Sequence, residues 1–318
     1  MARLVSVVTA SSNSGAQCVR DLLQQEALKG KAKVRAVYRT KEKADAALAE
    51  LGKHESDWSL LALLTSDNLE CIHGVDAMKM DTLMTAFEGA EVAVIVTPHD
   101  AAVGFANDAE MCHNMVNAAV SCNVKHIVYV GSWTVAVSQY IKIISSRFAS
   151  TEKLLRELGE QKKGMYLQIT WNHLRSGFFN QNLVHMMGHG VKAGKVRFPD
   201  MKIPCVDPRD MGTMAAFIAC SDYAKEHANC CYEVSGPENL TSAQIVEAIG
   251  TAVGKKVEYE PVPIKEHMEK LPQFMKEVFH CMEELPDSIP CTDDVEKVTG
   301  IRARTLSAWL NENAAAFA

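Results

Sequence analysis

Short, almost entirely apolar runs alternate with segments of helical periodicity, and this alternation limits the possible folds more than any other feature. Val92–Val96 and His126–Val130 are nearly continuous apolar runs, as expected of strands that are covered on both faces. Between them, apolar residues from Cys112 to Val120 recur at helical spacing. Because strands that alternate with helices form parallel sheets with helices on both sides, the pattern predicts an α/β, doubly wound parallel sheet.

Several further elements and their ends follow from the same periodicity. Leu4–Val8 and Val34–Tyr38 are predicted strands, and a helix is expected to end at Gly254. Three local predictions concern less regular segments: Asp81 and Thr82 cap a helix, Leu167–Thr170 is a strand, and Asp210 caps a helix.

The length and composition favour two closely joined lobes. The chain has 318 residues, of which 47% are hydrophobic, and can bury a large core. We expect residues 1–165 to form the ligand-binding domain, with a strand and a helix around 203–235 returning to it. Residues 166–318 are expected to form mostly a smaller α/β lobe.

The charge and cysteine content exclude several classes of protein. Lys and Arg total 33 against 39 for Asp and Glu, so there is no basic excess for nucleic acid or an acidic membrane, and a small molecule is the favoured partner. No apolar run approaches the roughly 20 residues that cross a bilayer. The ten cysteines form no CxxC pair and no secretory signal precedes the first strand, so we expect free thiols and a cytoplasmic location.

A loop with unusual chemistry follows the first predicted strand, where a parallel sheet receives a phosphate at a helix N-terminus. The loop consists of Thr9, Ala10, Ser11, Ser12, Asn13, Ser14 and Gly15. Such loops use glycine for positive φ and close backbone approach, yet only Gly15 is glycine here. Serine hydroxyls can donate to phosphate, and Asn tolerates positive φ. A plain polar turn that caps a helix is the alternative interpretation.

The end of the second predicted strand favours a phosphorylated ribose. Arg39 lies 24 positions after Gly15, near the roughly 20-residue spacing at which NAD-binding folds carry an acid. An Arg beside Thr40 and two lysines would instead receive a 2′-phosphate, which favours NADP(H) over NAD(H); a solvated charge at a strand end is the alternative. Asp76 lies where the third strand should end, either at the border of an adenine pocket or as a turn aspartate.

A series of longer segments carries a family resemblance. The segments "VTASSNSG", "VYRTKEKA", "DTLMTAFEGAEVAVIVTP", "STEKLLREL", "HLRSGFFNQN" and "CVDPRDMG" occur in the order seen in NmrA-like proteins, which are atypical members of the short-chain dehydrogenase/reductase superfamily. The chain resembles this family over nearly its whole length. The resemblance implies a Rossmann-type domain that binds NADP(H) and a smaller C-terminal lobe that closes over the nicotinamide. It also implies quinone reduction in some members and redox-dependent regulation without turnover in others.

The resemblance also implies roles for individual residues. It assigns the phosphate loop to Thr9–Gly15, the 2′-phosphate contact to Arg39 and the adenine border to Asp76. It places further cofactor contacts at Thr97 and Pro98 beside the ribose, at Gly131 and Ser132 at the end of the fifth strand, and at Gly177, Phe178, Phe179 and Asn182 at the nicotinamide end. The family's loop is GATGxTG, and this chain has Thr9 and Ser12 at its first two glycines. Since some members carry an Ala-Ser-Ser version, we interpret the loop as a variant phosphate loop.

The pattern of tyrosines limits the chemistry. Classical members of the superfamily protonate the substrate from a Tyr with Lys four residues later, and none of the seven tyrosines here has Lys at that spacing. Quinones need less acid catalysis, because hydride addition gives a delocalised phenolate. Candidates for a planar substrate pocket are Trp133, Phe179, Asn182, Met186 and His99, with core packing or a plain loop position as the alternatives. His185 and His189 lack a third ligand, so no metal site is predicted.

Three functions are compatible with these features. The first is an NADPH-dependent reductase of quinones or similar conjugated carbonyls. The second is a non-catalytic redox sensor that binds NADP(H) and changes a regulatory protein partner with cofactor state. The third is an interaction scaffold whose altered loop no longer binds cofactor. Measuring NADPH consumption and cofactor affinity on one sample separates them.

Overall fold

The central sheet is built from the apolar runs described above. A computed structural model describes residues 2–53, 67–98, 104–105, 107–160 and 169–318. Its strands are β1 Arg3–Val8, β2 Ala32–Val37, β3 Leu69–Ile72, β4 Val92–Val96, β5 His126–Ser132, β6 Thr170–Ser176, β7 Phe178–Phe179, β8 Lys195–Phe198, β9 Lys202–Ile203, β10 Cys205–Val206, β11 Cys230–Val234, β12 Leu240–Thr241 and β13 Glu258–Pro261.

The helices follow the strands in the expected alternation. They are α1 Asn13–Gln24, α2 Lys41–Lys53, α3 Met80–Phe87, α4 Asp108–Ser121, α5 Lys142–Ser145, α6 Ala149–Glu160, α7 Asn182–Lys192, α8 Pro208–Cys220, α9 Tyr223–Glu226, α10 Ser242–Val253, α11 Ile264–Met268, α12 Gln273–Glu284, α13 Asp294–Thr299 and α14 Leu306–Asn313. Short 3-10 turns cover Glu26–Leu28, Trp133–Val137 and Ala314–Phe317. Within the described ranges, no helix is both long enough and apolar enough to cross a membrane.

Seven of the described strands form one sheet in the order β11-β6-β5-β4-β1-β2-β3. The pairs β1–β2, β1–β4, β2–β3 and β4–β5 are all parallel, and Val5 pairs with Val34 on one side and Val92 on the other. The predicted doubly wound α/β sheet is therefore confirmed. The chain runs outwards from β1 in both directions, and the crevice at such a switch point is where sheets of this class bind ligands.

The chain divides into two compact units. The first comprises Met1–Gly131, Arg147–Leu174 and Met211–Tyr232, and the second comprises Ser132–Ser146, Arg175–Asp210 and Glu233–Ala318. The second unit has its own apolar core, with Phe198, Ile245, Phe279 and Leu310 at its centre. Its short strand pairs are β7–β10, β9–β12 and β8–β13.

Two predicted helix caps are wrong. Helix α3 begins at Met80, and the Thr82 hydroxyl instead donates towards the carbonyls of Lys79 and Asp76. Helix α8 begins at Pro208, where the Asp207 carboxylate accepts from the Arg209 amide at 2.9 Å. The apolar repeat that periodicity detects does not fix the first residue of either helix.

Among the described residues, the predicted strand at Leu167–Thr170 overlaps an observed strand only at Thr170. Residues 161–168 lie outside the described ranges, and β6 runs from Thr170 to Ser176 instead. Asn172 and His173 are fully buried in this strand although they are polar. The Asn172 amide donates to the His227 carbonyl at 2.6 Å. A buried polar residue needs such a partner. A hydropathy pattern does not record that partner, so it does not detect this strand. The helix end predicted at Gly254, whose φ is 69°, is confirmed.

Candidate functional site

The loop between β1 and α1 contains a left-handed residue that is not glycine. Thr9 has a φ of 61°, in the left-handed region, which β-branched residues rarely adopt. The Thr9 carbonyl accepts hydrogen bonds from the amide and the hydroxyl of Ser12, at 3.0 and 2.9 Å. The expectation that Asn13 might supply the positive φ is therefore corrected, because Thr9 supplies it.

The serines of this loop have different roles. Ser12 is the N-cap of α1, and its hydroxyl oxygen accepts from the Gly15 amide at 3.0 Å. Ser14 is buried, whereas Ser11 and Asn13 are exposed. The first turn of α1 carries no acidic side chain, so its partial positive charge is not neutralised locally. Exposed polar groups therefore surround an N-terminus that is suited to an anion.

Gly15 lies where no side chain fits. A Cβ built on Gly15 would lie 2.5 Å from the Thr9 carbonyl oxygen and 3.0 Å from Ala10 Cα. Ala10 is itself buried, and its amide donates to the Val37 carbonyl at the end of β2. Glycine at position 15 therefore allows α1 to begin directly against the end of β1.

Arg39 and Asp76 follow neighbouring strands at the same edge of the sheet. Arg39 is exposed, two residues after Val37. The Tyr38 backbone accepts a hydrogen bond from the Val75 amide at 3.3 Å, which brings the loop after β3 alongside. The Asp76 carboxylate accepts from the Met78 amide at 3.0 Å, as in the turn that was its alternative interpretation. The structure thus brings Arg39 and Asp76 to the edge where the loop of Thr9 lies.

Thr97 lies at the end of β4 above a buried hydroxyl. Its own hydroxyl donates to the Val130 carbonyl at 3.0 Å and lies 3.1 Å from the Tyr129 hydroxyl. Tyr129 is fully buried, and desolvation is the main reason that its pKa is raised well above 10. Tyr129 therefore holds Thr97 in place and is unsuited to donating a proton to a ligand. Pro98 follows Thr97, and His99 lies outside the described residues.

Gly131 and Ser132 end β5, as expected. The Ser132 hydroxyl accepts from the Thr134 amide at 3.3 Å and caps a 3-10 turn. Trp133, in that turn, is 5% exposed and belongs to the core of the second unit. Core packing was the alternative to a place in the substrate pocket for this residue.

The remaining predicted residues lie in the second unit. The Gly177 amide donates to the Val234 carbonyl at 2.8 Å, and Phe178 is buried. Phe179 is half-buried in β7, which pairs with β10. Asn182 and Met186 are both half-buried and lie one turn apart on α7, so they share a face of this helix.

Two features were missed by the sequence interpretation. Gly212 on α8 lies against α1, and a Cβ there would be 2.2 Å from the Ser14 carbonyl oxygen. Asp108 is fully buried and paired with Arg147, whose Nε lies 2.5 Å from Asp108 Oδ2. The one sequence signal for the Gly212 contact is a glycine within the apolar repeat of a helix.

In the described part of the chain, no three His, Cys, Asp or Glu side chains are grouped to hold a metal ion.

Comparison with known proteins gives relatives of one broad type. The NAD(P)H azoreductase of Xenophilus azovorans is 27% identical over 254 residues, which are 76% of this chain and 82% of that protein. The NADPH-dependent quinone oxidoreductase of Escherichia coli, solved with NADPH, superposes with a TM-score of 0.71 at 18% identity, covering 98% of this chain and 99% of that one.

A regulator has the same fold. The negative transcriptional regulator NmrA, solved with NAD, superposes with a TM-score of 0.67 at 18% identity over 98% of this chain and 95% of that one. At such identities the two solved structures show a shared Rossmann-type fold. The family model described as the NmrA-like family matches residues 1–313, and this chain therefore belongs to the NmrA-like family.

Proposed function

We propose that the chain binds NADP(H) and uses NADPH to reduce quinones or similar conjugated carbonyls. The observation that carries the proposal is the backbone of Thr9, which holds a φ of 61° where the family has glycine. A strained conformation that persists without glycine indicates a functional constraint on the loop. The close contact at Gly15 and the first turn of α1, which carries no acid, support the same site.

The choice of NADP(H) over NAD(H) rests on Arg39. Its guanidinium is exposed at the end of β2, beside the loop that would hold the pyrophosphate. Guanidinium groups form paired, charge-assisted hydrogen bonds with phosphates. Arg39 is therefore the residue that we assign to the 2′-phosphate.

The chemistry of the site limits its substrates. Bound NADPH supplies a hydride from its nicotinamide. The chain lacks a Tyr with Lys four residues later, and burial makes Tyr129 a poor proton donor. Acceptors whose reduced form is a stabilised anion need the least acid catalysis. Phe179, Asn182 and Met186 offer half-buried apolar and amide groups suited to a flat ring.

The relatives support this type of reaction. The matched azoreductase is by its name an NAD(P)H-dependent enzyme, and the Escherichia coli neighbour is an NADPH-dependent quinone oxidoreductase. Their names give azo compounds and quinones as acceptors, and both kinds of compound are conjugated, which supports a site that orients a planar molecule. A regulator shares the fold, and an assay of NADPH oxidation distinguishes the two functions.

The test is a titration of NADPH and NADH against the parent protein and Arg39→Ala. We expect the parent to prefer NADPH and Arg39→Ala to bind NADPH about 10- to 100-fold more weakly, with NADH affinity unchanged. Arg302→Ala, at another exposed arginine, is the matched control and should leave both affinities as in the parent. Equal affinities of the parent for the two cofactors would contradict the assignment of Arg39.

A further inference from the structure

Helix α8 contacts the phosphate-loop helix through a glycine. A Cβ built on Gly212 would lie 2.2 Å from the Ser14 carbonyl oxygen and 2.8 Å from the Cys18 amide nitrogen. In an α-helix the amide of residue i+4 donates to the carbonyl of residue i, so these two atoms belong to one hydrogen bond at the start of α1. Any side chain at position 212 would press on that bond.

Helix α8 is held too firmly to absorb such a collision. Met211, Met214, Ala215 and Ile218 are fully buried along it. At its C-terminal end, the guanidinium of Arg3 donates to the carbonyls of Ala219 and Ser221, at 3.0 and 2.8 Å. Because Arg3 is the first residue of β1, α8 is tied to the strand that leads into the loop. The displacement would therefore fall on the first turn of α1.

We infer that Gly212 is a positioning residue for the pyrophosphate, acting by setting where the first turn of α1 lies. This inference rests on the proposed binding of NADP(H). Gly15 allows the turn to approach the end of β1, and Gly212 allows α8 to support it from the side of Ser14. Backbone amides at a helix N-terminus attract an anion only over the first turn. A small shift of this turn therefore weakens the contact with pyrophosphate and leaves Arg39 where it was.

The experiment compares two ligands on Gly212→Ala. NADP⁺ contacts the whole site, whereas 2′-AMP carries the adenosine and the 2′-phosphate but no pyrophosphate. We expect Gly212→Ala to bind NADP⁺ at least about tenfold more weakly and 2′-AMP with the parent's affinity. The matched control is Gly188→Ala on α7, where an added Cβ would meet only Val184 Cγ1 at 3.9 Å. Alanine favours helix over glycine, so lost helix propensity cannot explain an effect at position 212.

Each outcome decides the matter. A folded Gly212→Ala that binds NADP⁺ like the parent overturns the inference, and so does an equal loss for NADP⁺ and 2′-AMP, which indicates a general structural role. A parent protein that does not bind NADP⁺ contradicts the proposed function itself.

Hydrogen exchange on the parent protein covers the case in which Gly212→Ala does not fold. Saturating NADP⁺ should slow exchange in residues 211–216 of α8 as well as in the first turns of α1. Slower exchange in both supports the inference. Protection confined to α1 overturns it.

Discussion

Thr9 shows how this loop holds a left-handed backbone conformation without glycine at that position. A threonine at a φ of 61° is strained, and the two hydrogen bonds from Ser12 to its carbonyl oxygen hold it there. Ser12 is therefore occupied within the loop. The exposed polar side chains at this end of α1 are those of Ser11 and Asn13.

Gly15 is the position in this loop that tolerates no side chain. We expect Gly15→Ala to abolish NADPH binding, because its Cβ would lie 2.5 Å from the Thr9 carbonyl oxygen. Calorimetric titration of NADPH checks this, with thermal unfolding to show that the variant is folded. Gly188→Ala is the control. A folded Gly15→Ala protein with the parent's affinity would remove the loop from the cofactor site.

His126 makes the fold sensitive to acid. It is fully buried at the start of β5, its ring stacks on Tyr223 with centroids 4.4 Å apart, and its Nδ1 lies 2.8 Å from the Thr170 hydroxyl. Burial lowers its pKa from 6.5 to about 3. The unfolded chain therefore takes up a proton that the folded one rejects. The resulting loss of unfolding free energy is absent above pH 6.5. It grows as the pH falls towards 3, by about 1.4 kcal/mol per pH unit.

Replacing this histidine should make the free energy of unfolding depend less on pH below pH 7. Between pH 7 and pH 5, we expect His126→Gln to lose about 2 kcal/mol less unfolding free energy than the parent. Urea unfolding at both pH values gives the comparison, and His189→Gln, at an exposed histidine, serves as control. The same pH dependence in His126→Gln and the parent would show that His126 is not the group responsible.

At the scale of elements, an ion pair joins the start of α4 to the turn that precedes α6. Asp108, the first residue of α4, is fully buried, and its Oδ2 lies 2.5 Å from Arg147 Nε. The Arg147 guanidinium also lies over the rings of Phe105 and Phe148, at 4.6 and 4.9 Å from their centroids. The pair thereby connects the start of α4 to the turn that leads into α6, within the first unit.

Removing one partner of this pair should be costly. We expect Arg147→Met to lower the free energy of unfolding by about 3 kcal/mol, because it leaves Asp108 charged and buried without its cation. The double variant Asp108→Leu/Arg147→Met should recover much of that loss. Urea denaturation measures both. Lys153→Met breaks the exposed pair with Glu157 and should cost less than about 1 kcal/mol. A small loss for Arg147→Met would show that the pair does not hold the two helices.

At the scale of the whole molecule, the predicted property is selectivity among acceptors. We expect kcat/KM for quinones to exceed that for simple aliphatic ketones by at least about 100-fold, because the site lacks the usual proton donor. Phe179→Ala should lower kcat/KM for quinones and leave NADPH affinity unchanged. Steady oxidation of NADPH with an aliphatic ketone would require a proton donor that the site as described does not supply.

The same panel of acceptors distinguishes a reductase from a sensor. A sensor would bind NADP(H) tightly, turn over none of the acceptors and show different partner binding with NADP⁺ and NADPH. Failure to bind either form would favour the scaffold interpretation.

The sequence by itself determined the sheet and the position of its loop. Apolar runs such as Val92–Val96 identify buried strands, because a strand that is covered on both faces is apolar at nearly every position. The loop at Thr9–Gly15 could be placed because it follows β1 directly, and Arg39 could be placed because it follows β2. These features are set by residues that are close together in the chain, so periodicity and spacing in the sequence reveal them.

The tertiary structure alone decided the contacts that give these residues their roles. The close approach of Gly212 to Ser14 joins residues 198 positions apart. The polar residues of β6 became recognisable as a strand only through the partner that Asn172 finds in His227. A sequence pattern reports how apolar a segment is, whereas each of these contacts depends on which distant atoms the fold brings within a few ångströms.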